Sequence, residues 1–516
     1  VNARRTAAVA AAALLLSGCH VGRVRRAVPT GTATAATVPS ATTSPAPALA
    51  ATIARYGAAT LSWKGCGDGF ECARLTVPRD YAAPAGGDVT ISVIRLKARQ
   101  QSRRIGSLVL NPGGPGGSGI EFARGARQLL PNEILDRFDT VSFDPRGVGE
   151  STPVDCLDDA QLDRLVAADP TPDTPAERAA LFDLSREEAL ACGRKSGPLL
   201  PFVATVDTAK DLDVLRAALR DQKLTYVGFS YGTLLGARYA EQFPGHIRAL
   251  VLDGAVDPML TPRQTTLAQA LGFERALAAF LADCEQQRCA FASHGPIGDT
   301  FDTLMARVER DPIPASQYPG RLLGPSEALF GVAAALYSRE GGWPLLRDAL
   351  ESAYSAKDAS GLFALFDNLV ERDRDGHYSN SLEAQAAISC VDSAYPRDPA
   401  AYDADAVAFK KQAPRFGEAL AYGPVACAYW PVPPVSKPGP VKAPGAPKVL
   451  VVGTTRDPAT PYAWSVSLAK QLAAELLTHV GDGHTAYGYS RSSCVDREVD
   501  AYLLALALPK PGTRCP

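Results

Sequence analysis

Gly228-Phe229-Ser230-Tyr231-Gly232 sets a serine between two glycines, each two residues away. A serine hydroxyl becomes a useful nucleophile when a base takes its proton and a carboxylate orients that base. The pentapeptide alone recurs by chance, but its flanks are specific. The apolar stretch Leu224–Phe229 reads as a strand running into Ser230. Tyr231–Phe243 reads as a helix ended near Pro244-Gly245. A strand, a sharp turn and a helix lift such a serine above the carboxyl edge of a sheet. The glycines suit a tight turn whose neighbours press on it, and the helix N-terminus at Tyr231 aims its dipole at the reacting centre.

Six histidines compete to be the base. His20 falls in a low-complexity stretch, and His246 follows the serine helix too soon. His294 and His377 lie in a helical middle region, and His479 falls inside a strand. His484, in Gly481-Asp482-Gly483-His484-Thr485, follows that strand and is the expected general base and then acid. In the order serine, acid, histidine the carboxylate lies between them. Asp457 follows the strand Lys448–Val452 in a short loop, Gly453 to Pro458. Asp457 is the expected acid; Asp482 is its rival but sits only two residues before His484, where turn-making is its alternative role. A tetrahedral intermediate also needs backbone N–H donors. Tyr231 is the expected source of one, and Gly113 or Gly114 of the other, in Asn111-Pro112-Gly113-Gly114-Pro115-Gly116-Gly117 after the strand Ser107–Leu110. A phosphate loop is excluded there: no GxxxxGK[ST] pattern is present, and Pro112 and Pro115 remove N–H groups.

The elements that must position these residues alternate between strand and helix. Val89–Leu96, Ser107–Leu110, Thr140–Phe143, Leu224–Phe229 and Ala249–Leu252 read as strands. Leu212, Leu215 and Leu219 share one face of a helix within Asp207–Leu219. After Asp257 the alternation stops and the chain turns helical until a proline-rich stretch near Pro440. It resumes with the strand Lys448–Val452, the helix Tyr462–Leu476, the strand Leu477–Val480 and the helix Val495–Leu506. This pattern predicts an α/β-hydrolase fold: a mostly parallel central sheet with helices on both faces and an inserted helical cap. The expected divisions are 52–257 for the first part of the core, 258–440 for the cap and 441–516 for the second part.

The N-terminus reads as an export signal over residues 1–19. Arg4 and Arg5 precede the apolar run Ala7–Leu16, and Leu16-Ser17-Gly18-Cys19 resembles a bacterial lipobox with Cys19 as the lipidated residue. A plain secretory signal is the alternative. Residues 20–51, rich in Ala, Thr, Pro and Val, read as a flexible tether to the membrane. Of the 11 cysteines, removing Cys19 leaves ten, as a disulfide framework in an exported protein requires. Chain order suggests Cys66–Cys72, Cys156–Cys192, Cys284–Cys289, Cys390–Cys427 and Cys494–Cys515, with connectivity left open. No CxxC pair suggests zinc, and neither a metal nor an organic cofactor is expected. The formal net charge of −2 favours no nucleic-acid partner. A monomer is the expected state.

Taken together, these motifs resemble the actinobacterial tripeptidyl-aminopeptidase-like enzymes, which include mycobacterial cell-envelope serine proteases and secreted streptomycete aminopeptidases. The similarity rests on Asn111–Gly114, Asp144-Pro145-Arg146-Gly147, Gly228–Gly232, Asp253-Gly254-Ala255-Val256-Asp257-Pro258 and Asp457-Pro458-Ala459-Thr460-Pro461, and runs from about Trp63 to Cys515, with a family-like C-terminal segment. Pro112-Gly113-Gly114-Pro115-Gly116 looks like the HGGPG loop of prolyl aminopeptidases with proline in place of histidine, so prolyl specificity does not carry over. The resemblance implies release of short peptides, tripeptides above all, from free N-termini. A cap carboxylate would then bind the substrate amine, and Glu383 and Asp392, in a stretch that looks like the family's cap segment, are the candidates. Helix capping or solvation is the alternative for both. A carboxylesterase or lipase with the same triad and a non-catalytic cell-surface binding protein are the rival functions.

Overall fold

The computed structural model describes residues 45–516; the expected signal with Cys19, and the tether up to residue 44, lie outside the described residues. The remainder of the expected tether differs from expectation. Pro45–Gly57 is a helix that buries Ile53 and packs its end against the helix Thr205–Ala218.

The central sheet has ten strands. In chain order the strands are β1 (Lys64–Gly65), β2 (Phe70–Pro78), β3 (Asp88–Leu96), β4 (Gly106–Asn111), β5 (Phe138–Phe143), β6 (Leu224–Phe229), β7 (Ile247–Asp253), a separate cap hairpin of β8 (Ile313–Pro314) and β9 (Leu322–Leu323), then β10 (Leu450–Arg456), β11 (Glu475–Asp482) and β12 (Arg514–Cys515). The sheet order is β1-β2-β3-β5-β4-β6-β7-β10-β11-β12. Pairings from β1 to β5 are antiparallel and all later ones parallel.

Alternation sends successive side chains to opposite faces. On one face Val109, Tyr226, Leu250, Leu252 and Val451 join the core that includes the helices Thr205–Ala218 and Tyr231–Gln242. On the other, Leu108, Leu110, Val227, Phe229, Val251 and Val452 pack with the helices Asn132–Arg137 and Ser493–Ala505. Strands buried on both faces read as continuous apolar runs. The C-terminal junction is displaced from expectation. The helix ends at Gln471, Ala473 turns at φ 50°, and β11 begins at Glu475 to pair with Leu450.

The helices between β7 and β10 bury a second apolar core. Two helices from the span assigned to the core, Asp159–Val166 and Pro175–Lys195, bury Leu162, Ala189 and Cys192 in the sheet core and also contact the cap. Phe182 packs edge-on against Tyr402 and Tyr422, and Arg178 pairs with Asp403. Conversely, the helix Ser381–Asp392 contributes Ala384, Ala387, Ile388 and Val391 to the sheet core. The described cysteines pair as Cys66–Cys72, Cys156–Cys192, Cys284–Cys289, Cys390–Cys427 and Cys494–Cys515.

Candidate active site

The direction of connection reverses around β4: the chain leaves it for β5 on one side, then returns past it to β6 on the other. In open α/β sheets such a point forms a crevice beyond the carboxyl ends of the strands. Asn111, at the end of β4, pairs with Gly228 near the end of β6, so the glycine loop and Ser230 emerge side by side.

Ser230 sits at φ 56°, ψ −126° and is 5% exposed. A non-glycine residue in that region costs about 1–3 kcal/mol, so the surroundings must enforce it. Its N–H donates to the Asp253 carbonyl at 2.9 Å, and Thr233 Oγ1 donates to its carbonyl at 2.6 Å. Both flanking glycines are dictated by space. A Cβ on Gly228 would lie 2.3 Å from the Gly232 carbonyl oxygen, and one on Gly232 would lie 2.7 Å from Asn111 Oδ1.

The loops after β10 and β11 bring Asp457 and His484 together. His484 Nδ1 lies 3.0 Å from each Asp457 carboxylate oxygen. Asp457 is buried and fully engaged: it accepts from Ala459 N (2.9 Å), Thr460 N (2.7 Å) and Thr460 Oγ1 (2.9 Å). The His484 N–H donates to the Tyr337 carbonyl of the cap, and the Tyr337 ring meets the imidazole edge-on at 5.2 Å. Ser230 and His484 line one cavity of about 780 Å³ between sheet edge and cap.

The rival Asp482 is committed elsewhere. It pairs with Arg456 and, at 2.7 Å, with Arg339. Burial pushes its carboxyl up, but the two guanidinium groups outweigh this and hold it below the usual range. His479 lies buried within β11 beside Thr454, and burial pushes its pKa down. His246, His294 and His377 pair with Asp213, Glu351 and Asp159, away from the cavity.

The glycine loop requires one correction. Gly113 and Gly114 both adopt positive φ, at 99° and 110°. The Gly113 N–H is spent on Asn111 Oδ1 at 3.1 Å, so Gly113 is not the expected oxyanion donor. It is a spacer instead: a Cβ there would lie 2.9 Å from Ser230 Cβ and 3.0 Å from Tyr231 N. Gly114 lines the cavity, and Tyr231 N opens the helix after Ser230. Asn111 is the residue that sequence reasoning passed over; its only signal was a polar side chain directly before the loop.

Glu383 and Asp392 are also corrected. Neither lines the Ser230 cavity. Glu383 is buried and accepts from the N–H groups of Cys156 (2.7 Å) and Leu157 (2.6 Å), anchoring the start of the first cap insertion. Asp392 accepts from Thr205 N at 2.8 Å and from the Thr205 hydroxyl, and burial pushes it up to about 6. It reaches Tyr231 through Thr205, whose hydroxyl meets the Tyr231 phenol, and lines a second, smaller cavity with Pro115 and Tyr231. The acids that do line the cavity are Glu340, Asp348, Asp358 and Asp482. Among the described residues no group of three or more His, Cys, Asp or Glu is placed to hold a metal ion, and no helix is long and apolar enough to cross a membrane.

Comparison with known proteins bears on the fold and the family. Residues 106–308 match the family described as "alpha/beta hydrolase fold", and residues 412–515 the family described as "TAP-like protein". Serine protease Hip1 of Mycobacterium tuberculosis is 41% identical over 463 residues, 87% of each chain. A protein named Carboxylesterase B from the same organism is 38% identical over 86% of each chain. Tripeptidyl aminopeptidase of Streptomyces coelicolor is 32% identical over 87% of this chain and 85% of its own.

Proposed function

This chain belongs to the tripeptidyl-aminopeptidase-like family of serine α/β hydrolases, and we propose that it releases short peptides, tripeptides foremost, from free N-termini through an acyl-enzyme on Ser230. One observation carries this reading. Four acids line the cavity at Ser230 and, among the described residues, no lysine or arginine does. A substrate ammonium needs such a lining, because burying it unpaired is costly; an ester substrate does not. Asp482 is neutralised by Arg456 and Arg339, and Asp358 is occupied by Ser316 and Ser360. Glu340 and Asp348 remain as the groups for the amine.

In this mechanism Ser230 Oγ attacks the scissile carbonyl while His484 Nε2 takes its proton. Asp457 keeps the other ring proton on Nδ1, which leaves Nε2 free to accept, and it offsets the imidazolium charge. The N–H groups of Gly114 and Tyr231 receive the oxyanion. The imidazolium then protonates the leaving amine, and water repeats the sequence to free the peptide. Comparing an unblocked tripeptide anilide with its N-acetylated form tests the amine requirement. Equal cleavage of the two refutes it, whereas Asp348→Asn should raise KM for the free form alone.

A second reading, carboxylesterase, has specific support in the relative named Carboxylesterase B. It prevails if short acyl esters turn over well and no free-amine peptide does. A non-catalytic role is excluded if a fluorophosphonate labels the protein and fails to label Ser230→Ala. We place the protein at the cell envelope on the basis of Leu16–Cys19 and five disulfides, which persist in oxidising compartments. Incorporation of an alkynyl fatty acid, lost in Cys19→Ala, tests the lipid anchor.

A further inference from the structure

Asp253 ends β7, between the nucleophile turn and the histidine loop, and the mechanism above gives it no task. Its main-chain carbonyl accepts the Ser230 N–H at 2.9 Å. Its side-chain Oδ2 accepts from Ala486 N at 2.9 Å and Tyr487 N at 2.8 Å, two and three residues beyond His484. One residue therefore holds both moving parts of the reaction, one through its backbone and the other through its carboxylate. The chain that follows lies directly under the imidazole. Gly254 has φ 69°, and a Cβ there would sit 3.2 Å from His484 Cε1 and 3.1 Å from Thr460 Oγ1.

The second carboxylate oxygen sharpens the question. Asp253 is fully buried, and its Oδ1 has no hydrogen-bond partner. An amide would fill the same space, accept the same two N–H groups and avoid burying a charge. A buried carboxylate in place of an amide is an expense that the clamp alone does not explain. What the carboxylate adds is negative charge beside a histidine that must become positive.

We propose that Asp253 is a positioning residue of the reaction: its backbone and carboxylate tie the Ser230 turn to the His484 loop, and its charge, together with that of Asp457, favours the imidazolium form of His484. This inference rests on the reading of Ser230 and His484 as nucleophile and base. The titratable groups facing Asp253 are His484 and Asp457, from the loops after β11 and β10, and Tyr489. Burial pushes the Asp253 carboxyl up to about 6; the two N–H donors and His484 pull it back, and Asp457 adds to the rise. Burial, and then the Asp253 charge, push the Tyr489 phenol up. Asp253 is thus charged at neutral pH and loses its charge as pH falls through about 6.

Asp253→Asn separates clamp from charge, because the amide oxygen can keep both N–H bonds. Activity of the full-length protein on a free tripeptide anilide is measured against pH, together with fluorophosphonate labelling. The expected result is a kcat about tenfold lower with little change in KM, and an acid limb moved down by about 0.5–1 pH unit, because removing a nearby negative charge lowers a histidine pKa. Asp253→Ala, which also removes the clamp, should lose more kcat. A merely structural residue would lower activity without moving the acid limb, and an unmoved limb in folded Asp253→Asn overturns the proposal. If that variant does not fold, the imidazole resonance of His484 in the wild-type protein decides. It must sense a second titration near pH 6, and a single-step curve overturns the proposal. Ser230→Ala is the control: if it still turns over substrate, the nucleophile reading itself has failed. If Ser230→Ala is inactive and Asp253→Asn behaves as wild type, this inference alone has failed.

Discussion

Replacing Asp457 by Asn should lower kcat by about four orders of magnitude while leaving the fold intact. The size follows from how the carboxylate is held. Asp457 Oδ1 receives the N–H groups of Ala459 and Thr460, so the oxygen of an introduced amide belongs at that position. Its NH2 then occupies the Oδ2 position, facing Thr460 Oγ1 and His484 Nδ1, the latter 3.0 Å away. A donor there competes with the amide oxygen for Nδ1, which is 3.0 Å from both positions, and so favours the tautomer with the ring proton on Nε2, which cannot take the proton of Ser230. The counter-charge to the imidazolium is lost as well. For a serine–histidine–aspartate arrangement this combination costs about 10⁴ in kcat, roughly 5 kcal/mol of transition-state stabilisation. The assay is steady-state hydrolysis of a free tripeptide anilide, with a thermal melt to show that the variant is folded. KM should change little, since Asp457 does not line the cavity. A folded Asp457→Asn enzyme within tenfold of wild-type kcat would refute the reasoning and return Asp482 as the acid.

Other consequences are equally direct. Gly113→Ala should lower kcat at least a hundredfold and reduce stability by about 2–4 kcal/mol, because its Cβ would lie 2.6 Å from the Phe229 carbonyl oxygen in a backbone held at φ 99°; hydrolysis rates and chemical denaturation report both. Asp392→Asn and Glu383→Gln should preserve the preference for free over N-acetylated peptides, and loss of that preference would restore them as amine ligands. Burial raises Asp392 from an ordinary 3.8 to about 6, so the folded state holds its proton more tightly than the unfolded one. The Asp392 contribution to stability is then present below about pH 4 and is lost, by at most about 3 kcal/mol, as pH rises through 6. Denaturant melts across that range should show a shallower decline for Asp392→Asn. Replacing Cys390 and Cys427 by serine should cost about 2–4 kcal/mol, read as a lowered midpoint that reductant does not lower further at this pair.

Local sequence determined the parts of this protein whose physics is local. The turn at Ser230 needs glycines two residues to either side, and the strand before it and helix after it announce themselves by period. Loops that end strands carry Asp457 and His484 in an order that the fold dictates. The same reasoning failed where a residue's role depends on how the backbone turns or on a neighbour distant in sequence. Gly113 reads as an oxyanion donor until Asn111 folds back to take its N–H. Glu383 and Asp392 read as cap acids for a substrate amine until packing of the helix Ser381–Asp392 on the sheet core turns them toward Cys156, Leu157 and Thr205. The helix Pro175–Lys195 precedes β6 in the chain and buries Ala189 and Cys192 in the sheet core, yet its pairing with Asp403, Tyr402 and Tyr422 ties it to the cap. Sequence spacing singled out Ser230, His484 and Asp457, because strand ends and tight turns are short-range events. Which acids face the Ser230 cavity, and that Asp253 bonds to both the Ser230 turn and the loop after His484, was decided only when segments distant in sequence became neighbours.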